Sequence, residues 1–539
     1  MRKGFKGGRK SGNYSKFDTL PPTQPHSSRD DLGMTNDLRK TIDFMADEKS
    51  RKPILLSIVL LAMSLQLYNL GHRSLWFDEA ASFWFSSLNL RDILASPDNT
   101  HPPLYYVILH FFLYLGKSEF FMRLPSVIFS ILCIPLIYKL GKDFFDFRVG
   151  LLSAFLLSIS PMLYDYAREA RMYTLLILLS LLSLYFFFSA IRKNEVKLWI
   201  GFIASTSLDI YAHYYAFFVI LIEIIFIVIF IKNYHFVLRK FTISIISIFL
   251  LFLPQLGSLY AGSQRMVNMG PGWGLQPTWL FAPQIFYKMS VGNPWSGEVM
   301  ESFNKFLSMD LFGINPIWGS ALFLLPIVFL YGIYISRREY REETYLSIIW
   351  VFVPVIVAYI IAFKMVVNEN YIIFILPIYL LIISKGLVGL SKNKFILFFV
   401  LIGIILVSDA YFLHLNYVTP KEDWRSIAIY IKNNSSPGDI ILVDPSYTSW
   451  CFTYYGLEPK MIIGQNKDFG SNRSLFLNEI AEISSRQNPR MWIPYVPSRS
   501  SDSDKHLLSW LNHNCVKRYE SSFAQIYLCE QNSSQIPFY

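Results

Sequence analysis

Two carboxylates stand side by side in an otherwise apolar stretch, Asp78 and Glu79 of LWFDEAASFWF. A carboxylate held where water meets lipid is partly desolvated, which makes it a stronger base and suits it to taking a proton from a hydroxyl. The pair also fits a plainer use, because acids at a helix N-terminus interact well with the helix dipole, and spacing alone leaves both uses open. His101 follows in NTHPPLYY, where Pro102 and Pro103 fix the backbone, and Arg123 stands in FFMRLPS. YDYAREARMY then packs Asp165, Arg168, Glu169, Arg171 and Tyr173 into nine residues. The planar guanidinium fork binds two phosphate oxygens at once, so two arginines in one short connection fit an anion. Pairing of those arginines with Asp165 and Glu169 is the alternative. IYAHYYAFF adds His213 beside two tyrosines. Together these residues describe proton abstraction next to an anionic headgroup.

The elements that must position them are membrane helices. Hydrophobic residues make up 53% of the 539 and charged residues 16%, against about 25% charged in ordinary globular proteins, and mean hydropathy is +0.35. These values exclude a cytosolic enzyme, a collagen-like chain and disorder across most of the length. Residues 1–53 are polar and hold twelve Lys/Arg against seven Asp/Glu, and are expected to form a disordered basic cytoplasmic tail. From 54 to 413, apolar runs of spanning length recur at 54–70, 120–140, 149–164, 172–191, 198–212, 215–231, 241–260, 314–335, 344–363, 371–390 and 395–413. The apolar run 102–116 is too short and too proline-bound to join them.

Positive charge orients this eleven-span bundle. With 102–116 left out and the N-terminus cytosolic, each short inner loop carries three Lys/Arg, whereas the long outer loops 71–119 and 261–313 carry only three each. Counting 102–116 as a span would reverse the bias. The net charge of +10 therefore sits in inner loops and the tail, which argues against nucleic acid as a partner. The candidate residues all fall on the outer face, and residues 414–539 lie outside the cytosol. In that last stretch DWRSIAIYIKNN, SLFLNEIAEISSRQ and DKHLLSWLNHN read as helices and IILVD, KMIIG and RMWIPYV as strands, a small α/β domain. CVKRYESSFAQIYLC reads as a hairpin turning at Ser521 and Ser522, which brings Cys515 opposite Cys529 in an oxidising compartment and predicts a disulfide. No cysteine or histidine spacing marks a zinc site.

The order LWFDEA, HPPLYY, RLPS, AREARMY, HYY, then KEDWRSIAIYIKNNSSPGDIILV, resembles the membrane glycosyltransferases of family 39, which include the protein O-mannosyltransferases and lipid A aminoarabinose transferases. The resemblance covers about residues 54 to 445. It implies a mostly α GT-C bundle with an outer-face cavity and a polyprenyl-phosphate sugar as donor. It further implies Asp78 as the base that deprotonates the acceptor, Glu79 as its orienting partner, and His101, Arg123, Arg168, Arg171 and His213 about the donor phosphate, with Tyr173 and Tyr371 as further candidates. Many relatives have Arg-Tyr late in the bundle; this chain has Asn370 before Tyr371, so that a donor-phosphate contact is either missing or supplied by Lys364. A divalent metal as cofactor is left open.

The function expected from the sequence is an integral membrane glycosyltransferase of the cell envelope. It would move a sugar from its lipid carrier to an extracytoplasmic lipid, glycan or protein. A transporter or flippase of lipid-linked sugars is the alternative, and for that class Asp209 and Glu223, the main acids within spans, would matter most. An envelope assembly protein that binds partners through its C-terminal domain is a third class, which no feature requires.

Overall fold

The computed structural model describes residues 48–95, 100–270, 274–292, 316–419, 421–458, 462–463, 490–499 and 505–530. From residue 53 onward the described residues form one compact unit, which carries the membrane bundle and the C-terminal sheet. The expected basic tail up to residue 47, residues 271–273 and 293–313 of the second long loop, and the expected helix SLFLNEIAEISSRQ lie outside the described residues.

All eleven apolar segments are helical. Among the described residues, seven helices are long and apolar enough to cross a bilayer: Lys49–Leu67, Glu119–Phe144, Tyr173–Lys193, Ile231–Met269, Arg341–Ile361, Glu369–Ser391 and Phe395–Val418. The helices Phe147–Ile159 and Pro161–Ala167 are long and apolar enough only as a pair, and they meet at 56°. The break has a local cause. Pro161 has no N–H to give to the preceding turn, and Ser160 instead accepts from Leu163 N–H and starts a new helix. The remaining three segments lie in shorter helices or in a helix described in part: Val196–Ala212, Tyr214–Ile229 and Pro316–Ser336. Residues 102–116 contain only the helix Leu104–Phe112, about 14 Å long and so too short to cross. The chain is a multi-pass membrane protein.

Small residues let these helices approach. A Cβ on Gly141 would lie 2.7 Å from the Cα of Gly150, so the helices Glu119–Phe144 and Phe147–Ile159 touch backbone to backbone.

The C-terminal region carries a five-stranded mixed sheet in the order β2-β1-β3-β5-β4. Its strands are β1 (Ile440–Leu442), β2 (Ile462–Ile463), β3 (Met491–Tyr495), β4 (Val516–Glu520) and β5 (Gln525–Cys529). β1 runs parallel to β2 and β3, whereas β3–β5 and β5–β4 are antiparallel, with Met491 opposite Cys529 and Ile493 opposite Tyr527. Side chains alternate between faces as a pleated strand requires. Trp492, Ile526 and Leu528 pack with Trp424, Ile427 and Ile431 of the helix Trp424–Asn434. Met491, Ile493 and Tyr527 pack on the other face with Leu507 and Leu511 of the helix His506–Asn514. A disulfide joins Cys515 to Cys529 at the base of the closing hairpin.

Candidate active site

Asp78 and Glu79 occupy the first turn of the ten-residue helix Phe77–Ser86, here called the acid helix. Acids there face the positive end of the dipole, and Glu79 adds half of a capping box by accepting from Trp76 N–H at 3.3 Å. The helix also packs against the C-terminal domain. Ala80 packs into the core of the C-terminal domain, and Phe77 and Trp84 both stack on Trp450.

The two acids have different surroundings. Glu79 is buried, and both of its oxygens are taken: Oε1 accepts from Arg123 Nε at 2.7 Å and Ala170 N–H at 2.9 Å, and Oε2 from Arg123 Nη2 at 2.7 Å. Asp78 is the reachable one, with 29% of its side chain exposed. Glu79, expected to orient Asp78, is placed where it anchors the helix that carries Asp78. Glu79 holds the acid helix against Arg123 and the 165–171 connection.

The arginines divide in the same way. Arg123 has five N–H groups and makes five bonds: two to Glu79 and three to the carbonyls of Leu70, Arg73 and Ser74. Arg168 donates to the carbonyls of Gln66, Tyr68 and Asn69, around the C-terminal end of the first membrane helix. Both were expected at a donor phosphate, and both are instead engaged in tying loops together. Arg171 is placed differently. Its Nη2 lies 2.9 Å from His101 Nε2 and 3.8 Å from Asp78 Oδ2. A guanidinium can only donate, so His101 Nε2 accepts and the ring is neutral, with its proton on Nδ1. Burial, then the charge of Arg171, then His213 hold the His101 pKa well below the ordinary histidine value.

His213 Nδ1 accepts from Tyr215 N–H at 3.2 Å, so its proton is on Nε2, a buried donor with no partner among the described residues. Burial and Arg171 lower its pKa to about 3. The His213 ring centroid lies 5.4 Å from both His101 and Tyr371, and Tyr173 closes the group at 6.3 Å. Asp78, His101, Arg171, Tyr173, His213 and Tyr371 are therefore brought together. Lys364 is not; it is exposed beyond the end of helix Arg341–Ile361.

Several residues of this neighbourhood carry no signal of their own in the sequence. Lys288 pairs with Glu369 at 2.7 Å, two residues before Tyr371. Asp165 and Glu169 do not pair with the arginines of their own segment. Both face Lys421, which lies 3.6 Å from Asp165 Oδ1 and bonds Glu169 directly. Lys421 opens KEDWR, whose next residues also reach the first loop. Glu422 accepts from Phe77 N–H, and Arg425 from the same segment donates to the carbonyls of Gly71, His72 and Arg73. The available signal is four charged residues around one tryptophan at a domain boundary. Among the described residues, no three His, Cys, Asp or Glu side chains group as a metal site.

Residues 100–257 match the family model described as dolichyl-phosphate-mannose-protein mannosyltransferase. No curated protein matches the chain. Among solved structures it is similar to ArnT from Cupriavidus metallidurans bound to undecaprenyl phosphate, with TM-score 0.53 and 14% identity over 88% of this chain and 97% of that one. The chain has the GT-C fold. The archaeal oligosaccharyltransferase AglB from Archaeoglobus fulgidus, in complex with an inhibitory peptide and a dolichol-phosphate, is also similar, with TM-score 0.53 and 11% identity over 90% of this chain and 75% of that one. Within this GT-C fold, the reachable carboxylate and the Arg171–His101 pair sit where the first loop, the 165–171 connection and the C-terminal domain converge.

Proposed function

We propose that the protein is a glycosyltransferase that moves a sugar from a polyprenyl-phosphate donor to a hydroxyl-bearing acceptor, with Asp78 as the general base. The observation that carries this reading is the contrast within the acid pair: Asp78 is reachable and stands 3.8 Å from Arg171, whereas Glu79 is saturated. An acceptor hydroxyl is a poor nucleophile until a base within hydrogen-bond reach draws off its proton. The acceptor oxygen then bonds to the anomeric carbon as the bond from that carbon to the phosphate oxygen breaks. The departing lipid phosphate keeps the electron pair and needs fixed positive charge and N–H donors rather than a proton. Arg171 supplies the charge, and the neutral imidazoles of His101 and His213 supply N–H groups. The solved relatives with undecaprenyl phosphate or dolichol-phosphate bound support a lipid-phosphate donor. The site faces away from the cytosol in this reading, which the distribution of basic residues among the loops supports.

Purified protein with labelled polyprenyl-phosphate sugar tests this. Asp78→Asn is expected to fold and bind lipid phosphate while transfer falls about 10²–10⁴-fold, the usual worth of a general base. Near wild-type transfer by that variant would end the assignment. A flippase would move donor across the bilayer without transferring label, in wild type as in the variant. Asp209 and Glu223 do not favour that second reading, since they bond Ser180 and Ser183 on a neighbouring helix.

A further inference from the structure

We infer that the C-terminal domain completes the active site, with Glu422 and Arg499 acting as positioning residues for Asp78. This rests on the reading of Asp78 as the base and adds what holds it in place.

Glu422 is buried and makes contacts in three directions. Its Oε2 accepts from Phe77 N–H at 2.9 Å and from Trp424 Nε1 at 2.6 Å, and its Oε1 accepts from Arg499 Nε at 2.7 Å, with Arg499 Nη2 at 2.5 Å. Phe77 is the first residue of the acid helix, and Asp78 is the second. A free N–H at a helix start must find an acceptor, and here a carboxylate from 345 residues away along the chain provides it. Arg499 lies over the Phe77 ring at 5.5 Å and feels the charge of Asp78. Asp78 thus interacts with two cations, Arg171 of the bundle at 3.8 Å and, through its charge, Arg499 of the C-terminal domain. Ala80, two residues further on, is buried in that domain's core. The backbone that carries the base is fixed from the C-terminal side at Phe77 and Ala80, and from the bundle side at Glu79. A base displaced by about 1 Å can lose on the order of 10²-fold in rate, so this clamp bears on the reaction as well as on folding.

The test uses the full chain and separates positioning from stability. Glu422→Ala strands the Arg499 charge and is expected to lower both thermal stability and transfer. Glu422→Ala combined with Arg499→Ala removes both charges, and should recover most of the lost melting temperature. If the pair only holds the fold together, kcat recovers with it. If it positions Asp78, kcat stays about 10- to 100-fold down with donor KM unchanged, while Glu422→Gln, which keeps an acceptor for Phe77 N–H, loses less. A double variant with recovered melting temperature and wild-type kcat overturns the inference. Asp78→Asn is assayed alongside. If it is slow while the double variant has wild-type kcat, only this inference falls. If Asp78→Asn transfers at the wild-type rate, the reading beneath it falls.

Discussion

Arg168 and Arg171 are three residues apart, look interchangeable in sequence, and should fail in opposite ways when removed. Arg171→Ala deletes a guanidinium that faces Asp78 and His101 and that we assign to the donor phosphate. A hydrogen bond to a charged group is worth about 1.5–3 kcal/mol, which corresponds to a loss of about 10- to 150-fold in donor affinity. Arg168→Ala deletes three bonds to the carbonyls of Gln66, Tyr68 and Asn69. At about 0.5–1.5 kcal/mol each, the loss is roughly 1.5–4.5 kcal/mol of stability, drawn from the junction between the first membrane helix and the loop that leads to Asp78. The assay is a pair of measurements on each variant in detergent: binding of polyprenyl phosphate, and the denaturation midpoint. Arg171→Ala should shift binding with little change in midpoint, and Arg168→Ala should shift the midpoint with little change in binding. Equal effects on binding, or a fall in midpoint alone for Arg171→Ala, would refute the division of labour.

Replacing Cys515 and Cys529 by serine should cost the C-terminal domain about 3 kcal/mol in the chain-entropy model, read as a lower midpoint under non-reducing conditions only; peptide mass spectrometry with both thiols free in the native protein would contradict the bond. His213, lowered to about 3, and His101, also lowered, are neutral in the fold where an unfolded chain would bind protons. Stability should therefore fall on acidification from about pH 6.5 towards 3, by up to about 1.4 kcal/mol per pH unit for each histidine. His213→Gln should flatten that slope in a pH series of midpoints. A reporter fused after Lys392 should read cytosolic and one after Asp423 external, and agreement of both on one side would contradict the eleven-span topology.

Local chemistry dictates much of the fold, and that much is legible in the sequence. The apolar runs form helices, and the alternation in MWIPY and QIYLC forms two faces of one sheet. The short HPPLYY stretch is a short helix because two prolines and about fifteen apolar residues leave no length to cross. The 56° break at Pro161 has its signal in the proline itself, yet the apolar run 149–164 passes through it without interruption. What sequence could not apportion was the use of each charge. Arg123, Arg168 and Arg171 have the same side chain, and only the three-dimensional neighbourhood decides which of them binds carbonyls, a buried carboxylate or an imidazole. The pairing of Lys421 with Glu169 spans 252 residues, and no periodicity reports on contacts at that separation. For the same reason Asp165 and Glu169, which stand in sequence as partners for their neighbouring arginines, have Lys421 as partner instead.

The acid helix belongs to two hydrophobic cores at once, with Ala80 in that of the C-terminal domain and Ala81 and Phe85 in that of the bundle. The stretch matched by the family model, residues 100–257, contains neither this helix nor the KEDWR segment that clamps it. Recombination that exchanged the bundle alone between related proteins would therefore part the base from its support. Acid helix, connection 165–171 and C-terminal domain should travel through evolution as one inherited block, and a chimera meant to redirect acceptor choice should take its crossover points outside all three.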